Sequence, residues 1–347
     1  MTGMNDPSSD LRVTHAARVL VADHFCTRRD ESVLITADTE TDRALVTALV
    51  DAAVAVGARP AVITMSRLPF QGTLADPFIT DPVRIAVQHC DVWFDLTFPY
   101  MAGSHAYGAA MAAQRARYVL IGDLGAAGLA RLYGTIDFDQ LFTVQSAIDA
   151  LIARSEGAAC RVTTPAGTDL RFTLGKPATQ KTRHADTPGS QTVPGSAMVF
   201  PVPETVRGTV MLEAAFHEYY GRLGSPIVLT VDGKIREVSG DGAEAAAMDR
   251  SLRRAGGGDY GYVIHLSHGF HPAARFAGTS FIEDIRVAGH NAVGLGLPWW
   301  VPGGGENHPD GVVTNQSMWI GDVPVVEAGV LRQPAEAANL LATLLPG

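Results

Sequence analysis

Apolar and polar positions alternate in blocks along the first half of the chain. Four short apolar runs indicate buried strands. They lie at residues 32–36, 60–65, 92–97 and 118–121. Helical patterns separate them, at residues 41–56, 81–90 and 107–115. Strands that alternate with helices predict βαβ units on a parallel sheet. Ligands approach the carboxyl ends of the strands in such sheets, so the loop that follows residue 97 is a candidate site.

The pattern changes near residue 155, where short strands separated by turn signals replace the alternation. These strands lie at residues 160–164, 168–173, 209–215, 227–231, 235–238 and 262–266, with several more within 318–330. Asp232-Gly233 is a strong hairpin signal. Two helices are predicted, at residues 242–255 and 334–345. The sequence therefore predicts an α/β domain with a mostly parallel sheet (1–150) and an α+β domain with an antiparallel or barrel-like sheet (151–347).

Composition narrows the classes of function. The net charge is −9, and the chain has no basic run, which argues against nucleic acid as a partner. No apolar run approaches the roughly 20 residues that span a bilayer, and the polar N-terminus does not resemble a signal peptide. Three widely spaced cysteines are expected to be free thiols in a reducing cytoplasm. With 18% charged and 46% hydrophobic residues, we expect a compact enzyme that forms a homo-oligomer.

The most informative motif is the glycine- and proline-rich stretch at residues 303–311, which contains His308 and Asp310. An imidazole and a carboxylate at this spacing both reach one divalent metal if the backbone between them is extended. One further imidazole would complete the two-histidine, one-carboxylate set typical of mononuclear non-haem Fe(II) oxygenases.

The candidates for that further imidazole are His265, His268 and His271. We expect His265 to end a strand and residues 266–272 to form a loop, which would place His265 on a rigid element. The residues alone leave a second interpretation open, in which the three histidines are ordinary polar loop residues. Trp299-Trp300 is equally open between a pocket wall and an interface anchor.

The second half of the chain resembles a known fold family. The family holds the aminopeptidase T-like metalloaminopeptidases and the 2,5-dihydroxypyridine 5,6-dioxygenases. The resemblance covers about residues 190–330. It is carried by residues 194–196, 200–204, 208, 263–275, 289–296, 308–310, 322 and 329. The βαβ first half is compatible with it.

Departures from the peptidase pattern decide which branch the chain resembles. The peptidases hold two metals. Where they have a glutamate after a Pro-Gly pair, this chain has Ser196, and where they have a glutamate at the end of a strand, it has His265. Where they have a histidine before a turn, it has Ala292, with His290 two residues earlier. The remaining ligands suit one metal better than two.

The resemblance implies that His265, His308 and Asp310 bind one Fe(2+) per subunit. It also implies that His105, in the loop after a first-domain strand, acts as an acid/base. A second interpretation of His105 is that it caps the next helix. A polar ring needs hydrogen-bond donors and a cationic partner, and the expected substrate contacts are His184, Ser196 and Arg286.

The leading hypothesis is an Fe(II)-dependent, extradiol-like dioxygenase that cleaves a small hydroxylated pyridine with O2. The expected reaction is 5,6-cleavage of 2,5-dihydroxypyridine in the catabolism of N-heteroaromatic compounds such as nicotinate. The first alternative is a metalloaminopeptidase that uses Glu283, Asp284, Glu306 or His290 as additional ligands. The second alternative is a ligand-binding protein without catalytic activity.

Overall fold

The computed structural model describes residues 7–177, 184–298 and 308–344. Within these ranges the helices are α1 (Pro7–Arg18), α2 (Arg43–Ala55), α3 (Asp81–His89), α4 (His105–Ala112), α5 (Ala126–Gly134), α6 (Phe138–Arg154), α7 (Gly242–Ala255), α8 (Phe281–Asp284) and α9 (Ala335–Leu344). Short π- and 3-10 helices are found at Val19–His24, Gly72–Phe78 and Pro203–Thr205. Trp299, Trp300 and Glu306 lie outside the described residues.

The strands fall into two sheets. In chain order they are β1 (Ser32–Asp38), β2 (Arg59–Met65), β3 (Val92–Asp95), β4 (Arg117–Leu120), β5 (Ala159–Thr163), β6 (Asp169–Thr173), β7 (Gly189–Gln191), β8 (Ser196–Val199), β9 (Arg207–Phe216), β10 (Tyr220–Asp232), β11 (Lys234–Ser239), β12 (Tyr262–Gly269), β13 (Asn291–Gly296), β14 (Asp310–Val313), β15 (Ser317–Ile320), β16 (Val323–Glu327) and β17 (Val330–Leu331).

The chain forms two compact units. Among the described residues, the first unit comprises residues 7–138 and 184–193, and the second comprises residues 139–177, 194–298 and 308–344. The chain therefore leaves the first unit, begins the second, and returns to the first before it completes the second.

The first unit contains a five-stranded parallel sheet in the order β2-β1-β3-β4-β7. This confirms the predicted α/β fold with a parallel sheet. Each connection between successive strands contains at least one helix, and the connection from β4 to β7 also contains β5 and β6 of the second unit. Sequence patterns missed β7 because its three residues, Gly-Ser-Gln, form no apolar run. On one face of the sheet, Trp93 and Tyr118 pack against Val83, Val87 and Met101 in a buried core.

The second unit contains a twelve-stranded sheet in which neighbouring strands run antiparallel. Its main path is β17-β16-β15-β5-β6-β9-β14-β13-β12-β8, and β10 and β11 extend from β9. This confirms the predicted antiparallel sheet. The hairpin signal is confirmed too, since Asp232 ends β10 and Gly233 adopts a φ of 71° before β11 begins.

The predicted loop after His265 is wrong. Strand β12 continues to Gly269, because β8 and β13 pair with it on both sides. Every residue of β12 after Tyr262 is buried, and its polar residues Ser267 and His268 and the final Gly269 belong to the strand although they were interpreted as a loop. His268 therefore lies within a strand. Strands β13 and β14 were not predicted either, and Asp310 is the first residue of β14.

None of the helices in the described ranges combines the length and the apolar character that crossing a membrane requires.

Candidate metal centre

The centre lies on three neighbouring strands and is built around a row of directly opposed residues, one from each strand. His265 on β12 lies directly opposite Gly294 on β13, and Gly294 lies directly opposite Asp310 on β14. Directly opposed residues of antiparallel strands project from the same face of the sheet. A Cβ atom at position 294 would overlap the ring of His265. Glycine at the centre of the row therefore leaves the space in which the His265 and Asp310 side chains approach each other.

His308 joins the row from just outside β14. The backbone N–H of Leu295 donates to the carbonyl oxygen of Pro309 at 3.0 Å, which extends the pairing of β13 and β14 beyond Asp310. A Cβ atom at Gly296 would lie 3.7 Å from the Cβ atom of His308, so this second glycine faces His308. Two residues apart on a paired backbone, His308 and Asp310 project to the same side.

The three side chains converge. His265 Nε2 lies 3.4 Å from Asp310 Oδ1, and His308 Nε2 lies 3.5 Å from Asp310 Oδ2. One ligand atom from each residue lies within 4.8 Å of the other two. Atoms that bind one ion at about 2.0–2.2 Å are separated by roughly 3–4 Å. Elsewhere in the described ranges, no histidine, cysteine or carboxylate forms another such group of three.

Burial shifts the pKa of two of these ligands, His265 and Asp310. It lowers the pKa of His265 to about 3, with a smaller contribution from His308. Burial also raises the pKa of Asp310 well above its usual range. Asp310 Oδ1 is buried and has no hydrogen-bond partner among the described residues. Neutral imidazoles are metal ligands, and a buried carboxylate needs a positive partner, so a divalent cation suits this set of donors.

Two nitrogens and one carboxylate oxygen form the donor set predicted for mononuclear iron. The structure thus brings together the three side chains that the sequence analysis singled out, His265, His308 and Asp310. That they bind iron stays a prediction.

The other two candidate histidines, His268 and His271, lie away from the converging side chains. His268 is three residues from His265 on the same strand and so projects from the opposite face. Its Nδ1 accepts a hydrogen bond from Gln316 Nε2, and Gln316 Oε1 accepts one from Asn291 at 2.7 Å. His271 is buried and follows the end of β12. Neither His268 nor His271 belongs to the converging group in the described part of the chain.

The described residues that a metalloaminopeptidase would use as additional metal ligands contact nearby groups of the protein instead. Asp284 accepts hydrogen bonds from the Tyr220 hydroxyl at 2.7 Å and from two backbone amides. Glu283 accepts one from the backbone N–H of Arg275 at 3.0 Å. His290 Nδ1 lies 3.0 Å from the carbonyl oxygen of Asp284. None of the three joins the converging group formed by described residues.

In the first unit, His105 begins α4 after the carboxyl end of β3. Its backbone N–H donates to Asp76 Oδ1 at 2.9 Å, and its ring Nδ1 lies 2.9 Å from Asp76 Oδ2. Ser104 caps the helix by accepting from the N–H of Tyr107. The His105 side chain is 85% exposed. The helix cap is therefore Ser104, and Asp76 fixes both the backbone and the ring of His105.

The loop that carries His105 is anchored by the buried carboxylate of Asp95. Asp95 accepts hydrogen bonds from the hydroxyls of Thr36, Thr97 and Tyr118, and from the backbone N–H of Met101 at 3.3 Å. Burial raises the pKa of Asp95, while the bonds from Thr97, Thr36 and Tyr118 act in the opposite direction. This network holds the start of the loop at the end of β3.

The expected substrate contacts belong to both units. His184 Nδ1 lies 2.9 Å from the carbonyl oxygen of Asp23 in the first unit. Ser196 begins β8 in the second unit and is half-buried. Arg286 is buried and donates to the carbonyl oxygen of Ile282. Their roles in substrate binding stay predictions.

Two residues of the site region had no role assigned from the sequence. Gly294 gives the ligands their space, and Ser267 lies two residues beyond His265 on the same strand. The spacing of Gly294 and Gly296 was the available signal, since glycine inside a strand often marks a close approach. Ser267 gives no comparable signal in the sequence, because the residues that face its side chain are determined by the pairing of distant strands.

The chain matches the family model of NicX, 2,5-dihydroxypyridine 5,6-dioxygenase, over residues 23–295. The chain belongs to this family. The resemblance stated from the sequence is thereby confirmed, and the family is one of dioxygenases, which are oxidoreductases. The matched range includes His265 and ends before His308 and Asp310, which the fold itself brings to His265.

Solved structures share the fold. The 2,5-dihydroxypyridine dioxygenase of Pseudomonas putida KT2440 has 19% identity and a TM-score of 0.72, with 95% of this chain and 100% of that chain covered. Wild-type AmpT from Thermus thermophilus has 13% identity and a TM-score of 0.64, with coverage of 93% and 99%. Comparison with curated proteins finds no match. At these identities the two structures establish the fold alone.

Proposed function

We propose that this protein is an Fe(II)-dependent dioxygenase that cleaves 2,5-dihydroxypyridine between C5 and C6 and adds both atoms of O2 to the product. The observation that carries the proposal is the convergence of His265, His308 and Asp310 within 4.8 Å on one face of the second sheet. Membership of the 2,5-dihydroxypyridine 5,6-dioxygenase family supports the choice of substrate.

In the proposed enzyme, His265, His308 and Asp310 hold one iron per subunit. Three protein ligands leave coordination positions open, and bound iron supplies there a place where O2 and an electron-rich ring react. The protein contributes a buried setting, a neutral imidazole at His265 and a carboxylate whose charge the metal would balance. Gly294 keeps the space between the ligands clear.

We propose His105 as the acid/base, which takes the proton of the substrate hydroxyl and returns it during ring opening. Asp76 supports this role because it contacts both the backbone N–H and the ring Nδ1 of His105, which fixes the ring and leaves Nε2 for the substrate. His184, Ser196 and Arg286 are the proposed substrate contacts. The proposal further includes a cytoplasmic homo-oligomer that acts in the catabolism of N-heteroaromatic compounds such as nicotinate.

The experiment is anaerobic loading of chelator-treated protein with Fe(II), followed by addition of 2,5-dihydroxypyridine and O2. We expect one iron per chain, uptake of O2, loss of the ring absorbance, and two ¹⁸O atoms in the product when ¹⁸O2 is used. His265→Ala should lose iron and turnover together, whereas His89→Ala, at an exposed histidine of α3, should lose neither. Full iron occupancy in His265→Ala would remove His265 from the ligand set.

The same preparation distinguishes the alternatives. A metalloaminopeptidase would bind two divalent ions per chain and release N-terminal residues from peptides. A ligand-binding protein without catalytic activity would retain no metal after anaerobic reconstitution. Either result would overturn the proposed function.

A further inference from the structure

Ser267 is a polar residue on the metal-binding face of the second sheet that none of the roles above uses. It follows His265 by two residues on β12, in a stretch with regular pairing, so both side chains project from the same face. It lies directly opposite Met198 on β8 and Ala292 on β13. Neither side chain offers an oxygen or a nitrogen to the Ser267 hydroxyl.

The Ser267 hydroxyl is buried and forms no hydrogen bond with the part of the chain that the structure describes. The residue is 2% exposed, and its Oγ has no hydrogen-bond partner among the described residues. Its backbone N–H, by contrast, donates to Asn291 Oδ1 at 3.0 Å. A buried hydroxyl that lacks a hydrogen bond destabilises the folded state. The hydroxyl at this position therefore does nothing for the fold that a methyl group would not do.

The distance along the strand suits a hydroxylated ring. Residues two apart on a strand are separated by about 6.8 Å. The 2- and 5-oxygens of 2,5-dihydroxypyridine are para to each other and span a comparable distance. An oxygen on C5, next to the bond that is cleaved, belongs near the metal ligands. A ring that lay along β12 with its 5-oxygen at the metal ligands would direct its 2-oxygen towards Ser267.

We propose that the hydroxyl of Ser267 hydrogen-bonds to the 2-oxygen of the substrate. It would thus select pyridines that carry an oxygen para to C5, one of the two carbons of the cleaved bond. The inference rests on the proposed function, since it takes that substrate and the His265, His308 and Asp310 site as given. Bound substrate would supply the partner that the described residues do not offer to the Ser267 hydroxyl. Ser267 would thus be a specificity-determining residue and not a metal ligand.

The test compares Ser267→Ala with Ser251→Ala in the Fe(II)-loaded protein. Ser251 is a matched control: it is buried in α7, and its hydroxyl donates to the carbonyl oxygen of His217 at 3.4 Å. Anaerobic titrations use 2,5-dihydroxypyridine and 3-hydroxypyridine, which lacks the 2-oxygen. Ser267→Ala should weaken binding of 2,5-dihydroxypyridine by about tenfold, the effect of one lost hydrogen bond, and leave binding of 3-hydroxypyridine unchanged.

Thermal unfolding of the metal-free proteins supplies a second readout. Ser267→Ala should have the same Tm as the wild type or a higher one, because it removes an unpartnered hydroxyl. Ser251→Ala should have a lower Tm and unchanged affinity for both ligands. Iron content should equal that of the wild type in both variants.

The inference is overturned if Ser267→Ala binds both ligands as the wild type does, or if it weakens both equally. It is also overturned if the Tm of Ser267→Ala falls as far as that of Ser251→Ala, since the hydroxyl would then have a partner in the protein. Wild-type protein that binds 2,5-dihydroxypyridine but does not cleave it would refute the proposed function alone. The affinities of the wild type and Ser267→Ala for the two ligands would still test the role of Ser267. Wild-type protein that does not bind the ring would refute both.

Discussion

Gly294 lies directly opposite His265 on the adjacent strand, and the position of its missing side chain is occupied by the His265 ring. Asp310 is opposite Gly294 on the other side. Strands two apart in a sheet are separated by about 10 Å, so ligands on them meet only if the residue between them leaves room. In this row the glycine is as necessary to the centre as the ligands are.

Gly294→Ala should therefore weaken iron binding without changing a ligand. The new Cβ atom would overlap His265 and turn its ring away from Asp310. We expect affinity for Fe(II) to fall by about 10–100-fold, as when the support of a metal ligand is lost. Iron content after dialysis against a weak chelator measures this. Gly221→Ala is the control, because a Cβ atom at this β10 glycine meets nothing within 4 Å. Full iron retention in Gly294→Ala would contradict the expected geometry.

Asp310→Asn should change stability in opposite directions with and without metal. Burial raises the pKa of Asp310, so the ionised form destabilises the metal-free fold near neutral pH. The amide carries no charge, and we expect metal-free Asp310→Asn to be more stable than the wild type by about 1 kcal/mol. The metal-free wild type should gain stability as the pH falls through the raised pKa, and the variant should not.

With Fe(II) present, the wild type should become the more stable protein, because the variant loses an anionic ligand for the cation. Denaturant unfolding of both proteins, with and without Fe(II), measures the four stabilities. The same order of stability under both conditions would show that Asp310 does not bind the metal.

His105→Gln tests the acid/base role apart from metal binding. We expect kcat to fall by about 10²–10⁴-fold, the usual contribution of general acid–base catalysis, while iron content stays that of the wild type. Steady-state O2 uptake and iron analysis on one preparation check both. Unchanged kcat would exclude His105 from proton transfer.

Asp76→Ala should have a smaller effect than loss of His105. Asp76 contacts the N–H and the ring of His105, so its removal should misplace the ring and lower kcat by about tenfold. Asp81→Ala, at an exposed aspartate that begins α3, is the control and should retain full kcat. In His105→Gln, the additional change Asp76→Ala should have no further effect on kcat, because the ring that it orients is gone. Independent effects of the two changes would show that Asp76 acts elsewhere.

One buried histidine of the first unit should contribute to the pH dependence of the free energy of unfolding. His24 is stacked with Tyr133, and burial, followed by nearby His184, lowers its pKa to about 3. The unfolded chain binds a proton at this site below about pH 6.5, whereas the folded chain does not. The contribution of His24 to stability is therefore complete above that pH and is lost as the pH falls towards 3.

His24→Phe should remove this contribution and reduce the slope of unfolding free energy against pH by up to about 1.4 kcal/mol per pH unit below pH 6.5. Urea unfolding of metal-free protein at about pH 7 and about pH 5.5 measures the slope. Parallel pH profiles for the wild type and His24→Phe would contradict the lowered pKa.

Elements with a strong local signal were predicted well. Strand β1 and helix α2 appear within two residues of the expected bounds, and the Asp232-Gly233 turn joins β10 to β11. Elements without one were missed. Strand β7 has no apolar run, and the end of β12 was mistaken for a loop because it contains Ser267, His268 and Gly269 in place of apolar residues.

The sequence by itself determined the candidates: the residue types and the family resemblance singled out His265, His308 and Asp310, and the block pattern predicted both sheets. Only the tertiary structure decided that these three converge over Gly294, that His268 projects from the other face, and that the side chains directly opposite Ser267 carry no oxygen or nitrogen. The reason is register. A shift of one residue in the pairing of β12 with β13 would reverse which side chains share a face, and pairing between distant strands leaves no local trace in the chain.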